Sequence, residues 1–180
     1  MCLSYTLKDN DKQEILDSMS DDDYINVYKI VEIHYQKIGS SEDFSFDYMS
    51  PYLKYWFEEG LNVIKAHDKL LSADIFPGDM YKAGFHFFAK KEDAENFTAR
   101  CRLSFIRPII IIEVKIKKSW ITEIGMDGLR SGQLTYVTNR AEFPKVDEQQ
   151  AKKLCRGART SKELRDRNTR KEIRNILSCV

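Results

Sequence analysis

One histidine stands in an aromatic stretch where it could serve a reactive site. His86 lies between Phe85 and Phe87, two residues after Gly84, in a run that alternates as β-strands do. Alternation puts Gly84 and His86 on the same face. A glycine there lets a ligand or another backbone approach closely, and an imidazole that titrates near neutral pH suits acid–base chemistry. His86 is therefore a candidate catalytic residue. The alternative is a half-buried histidine that is hydrogen-bonded within a sheet.

Two glutamates occupy strand positions where a carboxylate could act. Glu142 lies at the end of the last predicted strand, close to Pro144, where it could orient a hydroxyl or simply be solvated. Glu113 interrupts an aliphatic strand. Because an unpaired buried charge costs several kcal/mol, Glu113 must face solvent, a partner charge or a cleft. Lys115 has the same facing and is expected to share those surroundings.

Three other candidates carry weaker signals. His67 and Asp68 are adjacent, and adjacent residues on a helix do not face each other. Cys2 would be an N-terminal nucleophile after removal of Met1, with the α-amine as base. Residues 21–23 are all aspartate, a run more typical of a solvated turn than of a metal site. We expect no metal site.

Apolar periodicity predicts the elements that must position these side chains. In chain order they are a strand over residues 27–35, an aromatic strand over 81–89, a helix over Lys91–Arg100, a central strand over Ile109–Lys117 and a last strand over 133–143. Ala94 and Phe97 face inward on the helix at a spacing of three. We predict one α+β domain, residues 1–148, with a mainly antiparallel, aromatic-rich sheet and short helices.

The remainder, residues 149–180, is predicted to be a basic helical tail. Residues 151–180 hold ten Lys or Arg and three Asp or Glu, a charge of +7, which leaves −6 for residues 1–150. Such a tail could contact a protein, or nucleic acid through phosphate contacts. Its arginines are Arg156, Arg159, Arg165, Arg167, Arg170 and Arg174.

Several classes of protein are disfavoured by what the 180-residue sequence lacks. It has no phosphate-binding loop, dinucleotide fingerprint, zincin motif or nucleophile elbow. Its four cysteines form no zinc pattern or CxxC pair. No secretory signal and no apolar run long enough for a membrane helix is present. We therefore expect a cytoplasmic protein with free thiols and no membrane contact.

Short motifs in the first 145 residues resemble a diffuse group of small, uncharacterised phage and prophage proteins. They are Met1-Cys2-Leu3, Val27-Tyr28-Lys29, Ser50-Pro51-Tyr52, Gly84-Phe85-His86-Phe87-Phe88 and Glu92-Asp93-Ala94. This resemblance implies a phage-type accessory protein that acts in the host cell or in the virion. A non-catalytic role, as a virion component or an antagonist of host defence, would use the basic tail as its contact.

The order of strands and helix is also distantly similar to ADP-ribosyltransferase-like folds. That similarity implies NAD as a cofactor, with Tyr28 or Lys29 at the polar position of the first strand and Gly84 beside the cofactor. His86 falls on the middle strand, and Glu142 matches the glutamate of the last strand. In this interpretation His86 and Glu142 are catalytic. Glu142 would polarise the ribose hydroxyl while the glycosidic bond breaks.

Overall fold

A computed structural model describes residues 3–20, 24–37, 44–50, 56–64, 70–72, 80–100, 109–127 and 132–157. Within these ranges the chain forms twelve strands and three α-helices, and ten of the strands belong to one sheet. Neighbouring strands of that sheet run antiparallel, as the register between the long strand Tyr24–Lys37 and its partner Ile109–Lys117 illustrates. The predicted α+β class with a mainly antiparallel sheet is confirmed.

Most elements are short. The strands are β1 Tyr5–Thr6, β2 Tyr24–Lys37, β3 Phe44–Met49, β4 Trp56–Phe57, β5 Gly60–Val63, β6 Leu70–Ser72, β7 Met80–Lys82, β8 Phe85–Phe88, β9 Ile109–Lys117, β10 Ile121–Asp127, β11 Gln133–Thr138 and β12 Arg140–Phe143. The helices are α1 Asp9–Asp17, α2 Lys91–Arg100 and α3 Glu148–Gly157, and a 3-10 turn, Lys118–Trp120, precedes β10.

The order of strands differs strongly from the order along the chain. Across the main sheet it runs β1, β10, β11, β8, β2, β9, β12, β5, while β3 pairs with β2 and with β4. The strands β6 and β7 form a separate two-stranded sheet. Two strands, β2 and β9, therefore stand between β8, which carries His86, and β12, which carries Glu142.

The long strand β2 defines the two faces of the sheet. Val27, Lys29 and Val31 are buried on one side, which we call the inner face. Tyr28 and Ile30 point to the other side, the outer face, because successive side chains of a strand alternate. The sequence predicted both this strand and its alternation correctly, although the strand is longer at both ends.

Aromatic rings from distant strands meet on the inner face. The ring of Phe57 on β4 stacks on Phe143 of β12 with centroids 4.3 Å apart, and it also contacts Phe85 of β8 at 5.3 Å. Tyr48 of β3 packs against Phe143 at 5.7 Å. Because these strands are not neighbours, the contacts require the sheet to curl around its inner face. Such pairs add roughly 0.5–1.5 kcal/mol each beyond the area they bury.

Helix α2 covers part of the outer face. Ala94 is fully buried and Phe97 packs beside it, in a cluster with Ile30, Phe88 and Ile109. The predicted helix and its inward residues are thus confirmed with the same bounds. Its spacing of three works because residues three apart share one side of a helix.

Two predicted strands are interrupted in the structure. The aromatic run 81–89 divides into β7 and β8, with the break at residues 83–84. The predicted last strand divides at Asn139, whose N–H donates to the carbonyl of Trp120 (3.1 Å) and whose C=O accepts from Ile64 (3.0 Å). These backbone bonds replace ladder bonds, so the chain changes partner from β8 to β9 and β5.

The beginning of the predicted tail is part of the core. Helix α3 starts at Glu148, and its Ala151 is fully buried in the inner-face cluster, with Leu154 packed against it. Arg156 is exposed. The other tail arginines lie outside the described residues.

Candidate functional site

His86 sits within a completed chain of hydrogen bonds. The N–H of Leu3 donates to the hydroxyl of Tyr81 at 3.0 Å, and that hydroxyl lies 3.1 Å from Nε2 of His86. Nδ1 lies 3.1 Å from the carbonyl oxygen of Gly84. A carbonyl can only accept, so Nδ1 carries the proton and Nε2 accepts from Tyr81. With the ring neutral, each donor and acceptor in this series of hydrogen bonds has a partner.

These surroundings remove His86 from acid–base chemistry. The side chain is 3% exposed. Burial and then the positive charge of Lys29 lower the pKa of His86 to about 3, although the bond to Gly84 opposes the shift. The neutral imidazole donates its Nδ1 proton to Gly84 and accepts from Tyr81 at Nε2, so neither nitrogen is open to a ligand. The structure favours the alternative stated for this residue, a buried histidine that is hydrogen-bonded within the sheet.

Gly84 is required for the approach of another backbone. A Cβ at this position would lie 2.6 Å from Cγ1 of Val137 and 2.7 Å from the carbonyl oxygen of Thr138. Both residues belong to β11, which pairs with β8. The space that the sequence suggested for a cofactor is therefore filled by the protein itself.

Lys29 is buried on the inner face and is 7% exposed. Its Nζ donates to the carbonyl oxygen of His86 at 2.8 Å. The same atom lies 5.8 Å from the ring centroid of Phe57 and 5.3 Å from that of Phe87. Burial lowers the pKa of Lys29 to about 7. A cofactor role for Lys29 has no support, because the ammonium is enclosed by core side chains.

The predicted hollow shared by His86 and Glu142 is wrong. Both side chains belong to the outer face, but β2 and β9 stand between their strands. Three strand spacings of about 4.8 Å separate them by about 14 Å across the sheet. The register adds a further offset along the strands, because His86 is level with Ile30 and Glu142 with Asn26. The cluster of Leu3, Tyr81 and Val137 covers that end of the sheet and encloses His86.

Glu142 lies in more open surroundings. It is half-buried, directly opposite Lys115 of β9. Partial burial and then the neighbouring Glu142 carboxylate raise the pKa of Tyr24. Further along the outer face, the hydroxyl of Tyr28 donates to Glu113 at 3.3 Å. Tyr28 is thus the one predicted cofactor-binding residue that remains near the candidate site.

A groove of about 1000 Å³ begins at Glu142. Its floor is the N-terminal half of β9, residues 109–113. One side of β9 pairs with β2 over its whole length. On the other side, among the described residues, β12 pairs with β9 only at Lys115. The backbone edge of residues 109–113 therefore opens into the groove.

The two walls of the groove come from helices and from the segment that joins β12 to α3. Helix α2 supplies one wall, and residues 144–146 with α3 supply the other. The polar lining residues are Lys91, Glu95, Thr98, Glu113, Lys115, Glu142, Lys145, Gln150 and Lys153. Isoleucines 109–112 supply much of the apolar lining. A concave, mixed surface of this size is typical of a binding site.

The charged lining residues of the groove are four lysines and three glutamates, which leaves a net charge of +1. Glu113 accepts a hydrogen bond from the Tyr28 hydroxyl and Glu142 lies beside Tyr24, so these two carboxylates already have polar neighbours. The four lysines that line the groove are Lys91, Lys115, Lys145 and Lys153. None of them forms an ion pair with a carboxylate in the described parts of the chain. The groove therefore offers ammonium groups to a negatively charged partner.

Three of the polar groove residues, Glu142, Glu113 and Lys115, were identified from the sequence, and the others were missed. Glu113 and Lys115 were recognised because charges stood out within an aliphatic strand, and their shared surroundings are confirmed. Lys145 and Lys153 carried no comparable signal. Only the break of pairing after Lys115 brings them to the same groove.

Several candidates fall outside the described residues, including Cys2, His67, Asp68 and the aspartates 21–23. Within the described ranges no group of three or more His, Cys, Asp or Glu is arranged to hold a metal. No helix in those ranges is both long and apolar enough to cross a membrane.

Comparison with known proteins does not assign this chain to a family. The chain matches no described protein family, no curated protein and no solved structure.

Proposed function

We propose that this protein is a binding protein whose partner occupies the groove beside β9. The observation that carries the proposal is the open backbone edge of residues 109–113 at the floor of a groove of about 1000 Å³. An edge without a partner strand is a template for pairing, and the groove is concave enough to enclose a ligand. The role corresponds to the interaction protein expected from the sequence, with the groove in place of the tail as its main contact.

Three probes test this proposal on the full chain. They are NAD, a 20-base-pair DNA duplex and a pool of random heptapeptides, each followed through the amide chemical shifts of residues 109–115. We expect the peptide pool to move these amides and the DNA duplex to leave them unchanged. If none of the three probes moves them, the groove is not a binding site and the proposal fails.

NAD binding is the second candidate function, and the position of Glu142 in the groove favours it. The four groove lysines suit a pyrophosphate, and a carboxylate could stabilise the cation formed as nicotinamide leaves. This candidate retains the ADP-ribosyltransferase-like interpretation of the fold, but without His86 in the site. A thermal-shift titration with NAD decides it: wild type should be stabilised and Glu142→Gln should respond less. No shift in either protein would reject NAD.

The basic tail remains a separate candidate contact. Its test is the full chain with Arg165, Arg167 and Arg170 replaced by glutamate. If the groove is the main contact, peptide affinity changes less than twofold. Loss of DNA binding, with a steep salt dependence in wild type, would instead assign a nucleic-acid contact to the tail. Phage origin and action in a host cell or virion stay predictions.

A further inference from the structure

We infer that the partner at this groove is an extended, acidic peptide segment that adds as a strand to the open edge of β9. This inference rests on the proposed function and specifies the partner's chemistry. It combines two independent features of the groove, the backbone edge at its floor and the excess of lysines over glutamates in its lining.

The backbone edge determines the conformation of the partner. Along one side of an antiparallel strand, alternate residues present both N–H and C=O to the neighbour. Over residues 109–113 those groups face the groove, and five residues span about 17 Å. Main-chain hydrogen bonds to an added strand would satisfy them, which is how extended peptides bind at exposed sheet edges.

The walls determine the charge of the partner. Lys91 on α2 and Lys153 on α3 stand on opposite sides, with Lys145 beside the segment after β12. Glu95, Glu113 and Glu142 also line the groove, but the four lysines outnumber them and leave a net positive charge. Acidic side chains projecting to both sides of an added strand would meet these ammonium groups, and isoleucines 109–112 would meet apolar side chains.

The protein's own C-terminal segment is a poorer occupant. Residues 158–180 hold seven Lys or Arg and three Asp or Glu. Their net positive charge repels the groove lysines, so the segment lacks the complementarity that an acidic partner has.

The test begins with selection from a displayed library of random heptapeptides on the full-length protein. Counter-selection uses the Lys145→Glu/Lys153→Glu variant. We expect enriched peptides that carry Asp or Glu at both odd and even positions, among β-branched residues, because successive side chains of a strand alternate between its two faces. The double variant should bind them at least tenfold more weakly. The matched control is Lys152→Glu: its lysine lies on the same helix but pairs with Glu148 at 2.7 Å, and we expect a change below twofold.

N-methylation of a selected peptide tests strand addition itself. Methyl groups on one set of alternate amides should lower affinity at least tenfold, because those N–H groups donate to β9. Methyl groups on the other set should have a small effect, because those N–H groups point away. Circular dichroism and melting temperatures confirm that every protein variant folds.

Each contrary outcome overturns the inference in an identifiable way. Equal effects of the two methylation patterns exclude strand addition, and enrichment of neutral or basic peptides excludes the charge argument. If sedimentation shows dimers that the double variant abolishes, the occupant is a second copy of the chain. In these cases the groove still binds, so the proposed function survives; it fails separately if no probe moves the groove amides.

Discussion

Two polar clusters on the outer face of the sheet differ in how far their chemistry is already satisfied. Around His86, the donors and acceptors of Leu3, Tyr81 and Gly84 pair with one another and exclude solvent. Around Glu142, the side chains line an open groove, and its lysines have no carboxylate partner within the described residues. The first cluster stabilises the fold, whereas the second is available to a ligand.

The difference follows from what covers each end of the sheet. The N-terminal segment at Leu3 and strand β7 at Tyr81 close over His86. At the other end, β12 leaves β9 after one paired position, and the gap becomes the groove. A residue type that could react therefore indicates a functional site only when no other part of the chain encloses it. Four substitutions test this contrast.

Replacement of His86 by alanine should have the largest effect on stability. It leaves the Tyr81 hydroxyl and the Gly84 carbonyl without their partner in a buried site, which costs about 3 kcal/mol of unfolding free energy. Urea denaturation measures this loss. The matched control is Glu142→Ala, which should change stability by about 0.5 kcal/mol or less. Equal costs would contradict the contrast.

Replacement of Lys29 by methionine should flatten the dependence of stability on pH. Because burial lowers the pKa of Lys29 from 10.5 to about 7, the unfolded chain binds one more proton between these values. Wild-type stability should therefore rise with pH in this window by about 1.4 kcal/mol per unit at most. Lys29→Met should lose this rise and be more stable than wild type near pH 7.

Denaturation curves at several pH values between 7 and 10 measure the slope. The control is Lys115→Met, which removes an exposed lysine from the groove and should leave the slope as it is in wild type. A wild-type slope that persists in Lys29→Met would place the ammonium of Lys29 in solvent. The same linkage applies to His86 at acidic pH. Because burial lowers the pKa of His86 from 6.5 to about 3, the stability of the wild-type protein should fall as the pH drops from 6.5 toward 3.

Replacement of Gly84 by alanine should destabilise the sheet by about 2 kcal/mol, because the added methyl group meets the carbonyl oxygen of Thr138 at 2.7 Å. Thermal denaturation measures the loss, and groove binding by the folded fraction should keep its wild-type affinity. If the Gly84→Ala variant has wild-type stability but binds no ligand, Gly84 belongs to a cofactor-binding site and the contrast is wrong.

The smallest change is expected from Glu142→Gln. Removing the carboxylate's charge should lower the pKa of Tyr24, because that charge contributes to raising it. Ultraviolet titration of wild type and variant measures the shift, and Tyr24→Phe identifies which tyrosine is responsible. An unchanged titration would separate Glu142 from Tyr24.

Local pattern predicted much of the fold. The isoleucine run gave β9 with its bounds, and Ala94 with Phe97 gave α2, because burial periodicity is a property of consecutive residues. The breaks at Gly84 and Asn139 could not be predicted, since each depends on a backbone from elsewhere in the chain.

The site was harder to predict than the fold. Glu113 and Lys115 were visible as charges within an apolar strand, whereas Lys153 looked like any lysine of a solvated helix. The groove depends on where β12 stops pairing with β9, which is a property of the sheet and not of any segment. His86 misled for a different reason: its direct partners, Tyr81 and Gly84, are only five and two residues away, but the run 81–89 gave no sign of the break between β7 and β8.

The most direct measurement is an amide chemical-shift map of the full chain with a selected acidic heptapeptide. We expect shifts concentrated in residues 109–115 and in α3 near Lys153, with Phe85–Phe88 unchanged. Shifts concentrated around His86, with the β9 edge unchanged, would contradict this expectation.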